Sequence, residues 1–211
     1  MSLTTIREFI TDILETVSLA LVIFFLLQSS VRNYRVELSS MEPTLSHEDR
    51  LIVNKLVYFN LVPEAIDRLL PFVDVWEEGS RLYPFHSPQR ADVIVFQYPY
   101  DPTRDFVKRV IGLPGETVSI ERGTVYIDGE LLEEPYLIES GLDNLAPVLV
   151  PPNSFFVMGD NRRGSSDSRH WGPVSIDNVV GKVVLRYWPF DELTLVSGDR
   201  PLTHNGAIDN P

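Results

Sequence analysis

Two adjacent serines, Ser39 and Ser40, stand in ELSSMEPTL (37–45), ahead of a methionine and a proline-anchored turn. Serine-rich turns are common and mostly structural. A serine hydroxyl becomes a useful nucleophile only when a base takes its proton, so the question is which side chain could do so. The bases are few: three lysines, Lys55, Lys108 and Lys182, and four histidines, His47, His86, His170 and His204. There is no cysteine, which excludes thiol catalysis, a disulfide framework and cysteine-ligated zinc. No HExxH helix, EF-hand loop or GxxxxGK(S/T) phosphate loop is present. Neither a metal nor an organic cofactor is expected.

DFVKRVIG (105–112) carries one candidate base. Strand alternation puts Phe106, Lys108 and Val110 on one face and Val107, Arg109 and Ile111 on the other. If the first face is buried, desolvation disfavours the ammonium and lowers the lysine pKa, to about 5–6 in extreme cases. A neutral amine is a competent general base, whereas an exposed lysine near 10.4 is not at neutral pH. The same pattern fits a lysine that snorkels from a strand end to solvent. Lys55 also alternates with Val53 and Val57, so strand logic alone does not single out Lys108.

These residues need elements to hold them. Beyond residue 34 short β-branched runs alternate with turn signals, as in an all-β domain. The runs are 50–58, 92–98, 106–112, 117–121, 124–128, 154–159 and 181–188, with a hairpin at Arg122-Gly123. A short amphipathic helix is predicted only at 63–73, and 197–211 reads as a polar C-terminal tail. The length of 211 residues allows one domain of about 150 residues and an appendage. A net charge of −12 argues against nucleic-acid binding, which needs a basic face.

The appendage is the N-terminus. TVSLALVIFFLLQSSV (16–31) has no charge over sixteen residues and is apolar all round rather than along one stripe. A poor small-x-small site after it argues against a cleaved leader. A single transmembrane anchor over 10–31 is expected, after a short tail of 1–9 and before a β-rich catalytic domain over 34–196. It places Asp12 and Glu15 near the headgroups. Arginines flank both ends, so charge does not set the orientation.

SSMEPTL (39–45), RADVIVF (90–96), FVKRVIGLPGE (106–116) and FVMGDNRRGSSDSRHWGPV (156–174) occur in the order of the bacterial type I signal peptidases, which this chain resembles. With the anchor, the resemblance covers most of residues 10–190. It implies a mainly β, Ser/Lys-dyad signal-peptidase-like fold, anchored in the cell membrane by one N-terminal transmembrane helix. The catalytic domain would face the non-cytoplasmic side. Its implied activity is that of a serine endopeptidase cutting preproteins after small-x-small sites, with preprotein signal peptides and the lipid bilayer as partners. By the same resemblance Ser40 is the nucleophile, Lys108 the general base and Ser165 the lysine-orienting serine. Asp160, Asn161, Asp167, Arg169 and Arg109 shape the site. An Asp160–Arg109 pair and a structural Asp167–Arg169 pair are expected.

Some residues depart from that family's pattern. Its oxyanion is held by the backbone N–H of the nucleophile and a donor two residues earlier, where Ser or Gly is common; here stands Leu38. The oxyanion region is then the backbone of Leu38, Ser39 and Ser40. Losing one such donor typically costs about 10²–10³ in rate. Glu37 replaces a usual proline, and Ala91 a usual glycine. Leu38 sustains a rival reading, an impaired membrane-anchored paralogue that binds signal sequences without cutting them. A soluble, repressor-cleaving Ser/Lys autoprotease lacks the anchor and the GDN…DSR run. A His170-based triad conflicts with lysine as the family's base.

Overall fold

The computed structural model describes residues 3–58 and 87–196. The expected helix at 63–73, His86, His204 and the 197–211 tail lie outside them. Helix α1 (Leu3–Ser30) leads directly into strand β1 (Val31–Arg35). The strands that follow are β2 (Arg50–Asn54), β3 (Val93–Tyr98), β4 (Asp101–Gly112), β5 (Thr117–Glu121), β6 (Thr124–Ile127), β7 (Glu130–Leu131), β8 (Leu145–Leu149) and β9 (Ser154–Met158). The short helix α2 (Ser168–Trp171), β10 (Val174–Ser175), β11 (Val179–Trp188) and β12 (Thr194–Leu195) complete the domain. It is mainly β, as the alternating runs predict.

Two antiparallel sheets form. One runs β1-β2-β11-β3-β4-β9-β10, with β12 on β11; the other runs β7-β6-β5-β8. The predicted hairpin joins β5 to β6, with Arg122 at φ 49° and Gly123 at φ 82°. Two positive φ values in a two-residue turn match the strand twist, and glycine adopts one without steric cost. The run expected to extend to residue 58 as a strand instead ends at Asn54, whose side chain accepts from the Leu56 amide and turns the chain.

The second sheet packs Val118, Ile120 and Val125 against Ile111, Phe156 and Met158 of β4 and β9. A separate cluster gathers Leu51, Val53, Val93 and Val183 with Met41 and Leu45. Strand β4 is exposed over its first half and buried from Lys108 onward, with the second sheet packed on Ile111. Burial at both faces there goes beyond simple alternation, because the strand lies inside a two-layer core.

The expected anchor forms helix α1, and Val31 at its end passes to β1. Among the described residues no helix is long and apolar enough to cross a membrane.

Candidate active site

The nucleophile candidate sits where a loop is pinned on both sides. Met41 and Leu45 are fully buried and joined by a turn, Leu45 N donating to Met41 O at 2.9 Å. That apolar grip holds Ser40 at the rim of the core, 7% exposed. Its carbonyl accepts from the Asn161 amide at 3.1 Å, and the Asn161 side chain donates to Ser39 O at 3.1 Å. The serine loop is therefore tied to the loop after β9.

Lys108, 4% exposed, reaches across so that Nζ lies 2.6 Å from Ser40 Oγ. The amine also donates to Val107 O at 2.9 Å and stands 5.5 Å from the centre of the Phe106 ring. Burial lowers its pKa from 10.5 to about 8, against the opposing pull of Asp167 and Asp160. The other two lysines are differently placed: Lys55 is exposed, and Lys182 pairs with Asp92. Desolvation thus separates three lysines that strand spacing could not.

Behind the pair lies a charged scaffold. Arg109, 1% exposed, donates through Nε to Asp160 Oδ1 at 2.8 Å and through a terminal nitrogen to Oδ2 at 2.6 Å. It also donates to Ala91 O and lies 3.9 Å from the centre of the Tyr136 ring. Thr44 donates to the same carboxylate at 2.5 Å, linking the serine loop to the ion pair. Asp167 caps α2, pairs with Arg169 at 2.8 Å and accepts from the Gly159 amide at 3.0 Å. Burial pushes its pKa up, but Arg169 and the Gly159 amide more than offset this, leaving it below the usual value. Both expected pairs, Asp160–Arg109 and Asp167–Arg169, are present.

Ser165 is brought to the site without touching the amine. Its buried hydroxyl is turned towards the Asp167 carboxylate, and neither Lys108 nor Ser40 bonds to it. Ser166 is exposed at the groove mouth instead. His170 is also exposed, and its ring bonds to neither Ser40 nor Asp167. Leu38 is 60% exposed and lines the groove. Ala91, at φ 72° and fully buried, occupies the left-handed region that explains why glycine is usual there.

Sequence reasoning missed Thr44, Tyr136, Gly159 and the buried Arg162–Glu134 pair. Thr44 had a weak signal, one turn after Ser40. Tyr136 and Glu134 had none, since they come from a loop far along the chain. Beside the Ser40–Lys108 pair opens a groove of about 670 Å³, with Val36, Leu38, Leu51, Val95, Phe106 and Val107 on its walls. A hydroxyl, a buried amine of low pKa and an apolar cleft together can perform acyl transfer on a peptide.

The family model described as "Signal peptidase, peptidase S26" matches residues 7–188. The chain is 37% identical over 190 residues to the probable signal peptidase I-1 of Synechocystis sp., covering 86% of this chain and 84% of that one. It is 36% identical over 189 residues to signal peptidase I of Leptolyngbya laminosa, covering 85% and 80%. With signal peptidase I of Bacillus caldolyticus it shares 38% identity over 174 residues, covering 76% and 81%. The chain belongs to the signal peptidase family, peptidase S26, and is a serine peptidase, a hydrolase of peptide bonds.

Proposed function

We propose that this chain removes signal peptides from exported preproteins, with Ser40 as nucleophile and Lys108 as general base. The observation that carries it is the 2.6 Å approach of a buried, low-pKa amine to a buried serine hydroxyl. The neutral amine accepts the Ser40 proton as Oγ attacks the scissile carbonyl. The new ammonium then protonates the leaving amine, and a water deprotonated by Lys108 hydrolyses the Ser40 ester. The developing oxyanion lies against the backbone amides of the Leu38–Ser40 stretch, which donate to no group among the described residues. Ser165, whose hydroxyl shares with the Ser40 carbonyl the tight space at Gly159, would hold the lysine tip once substrate excludes water. The preprotein lies extended in the apolar groove, with small residues at the first and third positions before the cut.

The same reading holds the enzyme at the cell membrane by α1, single-pass, with the domain on the non-cytoplasmic face. Support comes from the outward-facing Leu19, Phe24 and Phe25, all more than half exposed to solvent in the isolated chain.

Cleavage of a preprotein by the purified chain in detergent, beside Ser40→Ala and Lys108→Ala, tests this. Product ending after a small-x-small site, lost in both variants, supports the dyad. Leu38 favours a second reading, a binder that does not cut. Binding without cutting, with cutting restored by Leu38→Ser, would establish that one. If neither the parent nor Leu38→Ser cuts, the dyad mechanism is wrong.

A further inference from the structure

Tyr34 and Asp105 face each other across the groove, 71 residues apart in sequence, and the phenol donates to Asp105 Oδ2 at 3.0 Å. Their strands are not neighbours. Strand β1 ends the sheet beside β2, and β4 pairs with β3, while β9 covers β4 only over Arg109–Gly112. The outer edge of β1 and the 101–108 edge of β4 are therefore unpaired among the described residues. Both line the same groove, Tyr34 and Val36 from one side, Asp105 and Val107 from the other. Both also lead to the chemistry, since Ser40 follows β1 and Lys108 lies on β4.

A peptide added to such an edge advances about 3.3 Å per residue and lies about 4.8 Å from its neighbour. Asp105 precedes Lys108 by three residues, about 10 Å along the strand. With the first residue before the scissile bond at Lys108, the Tyr34–Asp105 contact stands beside the fourth. There the phenol ring and carboxylate fill the span that an added strand and its side chain would need. Arg32 donates to the phenol oxygen at 3.4 Å and steadies it from the β1 side. Burial raises the Tyr34 pKa above its ordinary value, so the phenol remains a donor at neutral pH.

We propose that Tyr34 and Asp105 form a crossbar that ends the extended binding groove at the fourth residue before the scissile bond and excludes large side chains there. This specificity role rests on the peptidase reading above. Two peptides with alanine at the first and third positions, and either alanine or tryptophan at the fourth, are compared with the full chain in detergent. The parent is expected to prefer alanine by about tenfold or more in kcat/KM. Tyr34→Ala and Asp105→Asn each bring that ratio towards one. The same ratio is read as peptide affinity in Ser40→Ala, with and without Tyr34→Ala. If the parent shows no preference at that position, or the variants keep it, the crossbar is overturned. A parent that cuts neither peptide while the affinity ratio collapses on Tyr34→Ala would refute the peptidase reading and leave the crossbar standing.

Discussion

Lys108 carries a cost in stability for what it offers in reactivity. Between pH 8 and 10.5 the unfolded chain binds more protons at this amine than the folded chain, so stability rises with pH across that window and is lowest below pH 8. A pKa unit corresponds to about 1.4 kcal/mol, so the buried amine costs roughly 3 kcal/mol at neutral pH. Lys108→Met is expected to raise Tm at pH 7 by about 6–12 °C. The gain should shrink towards pH 10.5, as thermal melts across pH will read. Equal melting curves would mean that the amine is solvated. Activity has the opposite reason for the same midpoint. Only the neutral amine accepts a proton, so kcat/KM should rise about tenfold from pH 7 to a plateau above pH 8. A flat profile would deny Lys108 the role of base.

Two loops, rather than any strand, set the spacing of the site. The serine loop and the loop after β9 meet at Gly159, where an added Cβ would fall 2.3 Å from Ser165 Oγ and 2.4 Å from the Ser40 carbonyl oxygen. The Ser40 carbonyl cannot yield without moving the dyad, since the Asn161 amide holds it. Gly159→Ala is therefore expected to lower kcat about 10²-fold, the usual effect of a displacement near 1 Å at reacting atoms. Far-ultraviolet circular dichroism should remain that of the parent. Retained kcat would show that the two loops move independently. The Arg109–Asp160 pair beneath them works as a fixed peg: removing one partner would strand a buried charge, so the peg is costly to alter.

At the scale of the molecule, a long helix precedes the β domain that holds the Ser40–Lys108 pair. The helix exposes leucine, valine and phenylalanine side chains over its second half, and the domain adds exposed Ile138, Leu142, Trp188, Phe190 and Leu195. The full chain is expected to stay in the membrane pellet through alkaline carbonate extraction, and a chain lacking residues 1–30 to pass to the supernatant. The shortened chain should still cut a soluble peptide. Release of the full chain by carbonate would leave α1 as a surface-bound helix.

Short β-branched runs bounded by turn signals over 92–98, 106–112 and 117–128 were sufficient to place these strands. Four motifs in order were sufficient to point to the family and to nominate Ser40 and Lys108. The resemblance also nominated Arg109, Asp160 and Asn161 as residues that shape the site. Tertiary structure alone decided the rest. Lys55 and Lys108 alternate alike, and only the fold leaves one exposed and buries the other beside Ser40 and Phe106, where desolvation lowers its pKa. Tyr136 and Glu134 entered the site from a segment with no motif, since proximity across a folded sheet leaves no trace in local spacing. The helix boundary at Ser30 was settled the same way: Val31 found a partner in Asn54, and a pairing 23 residues distant overrode a continuous apolar run.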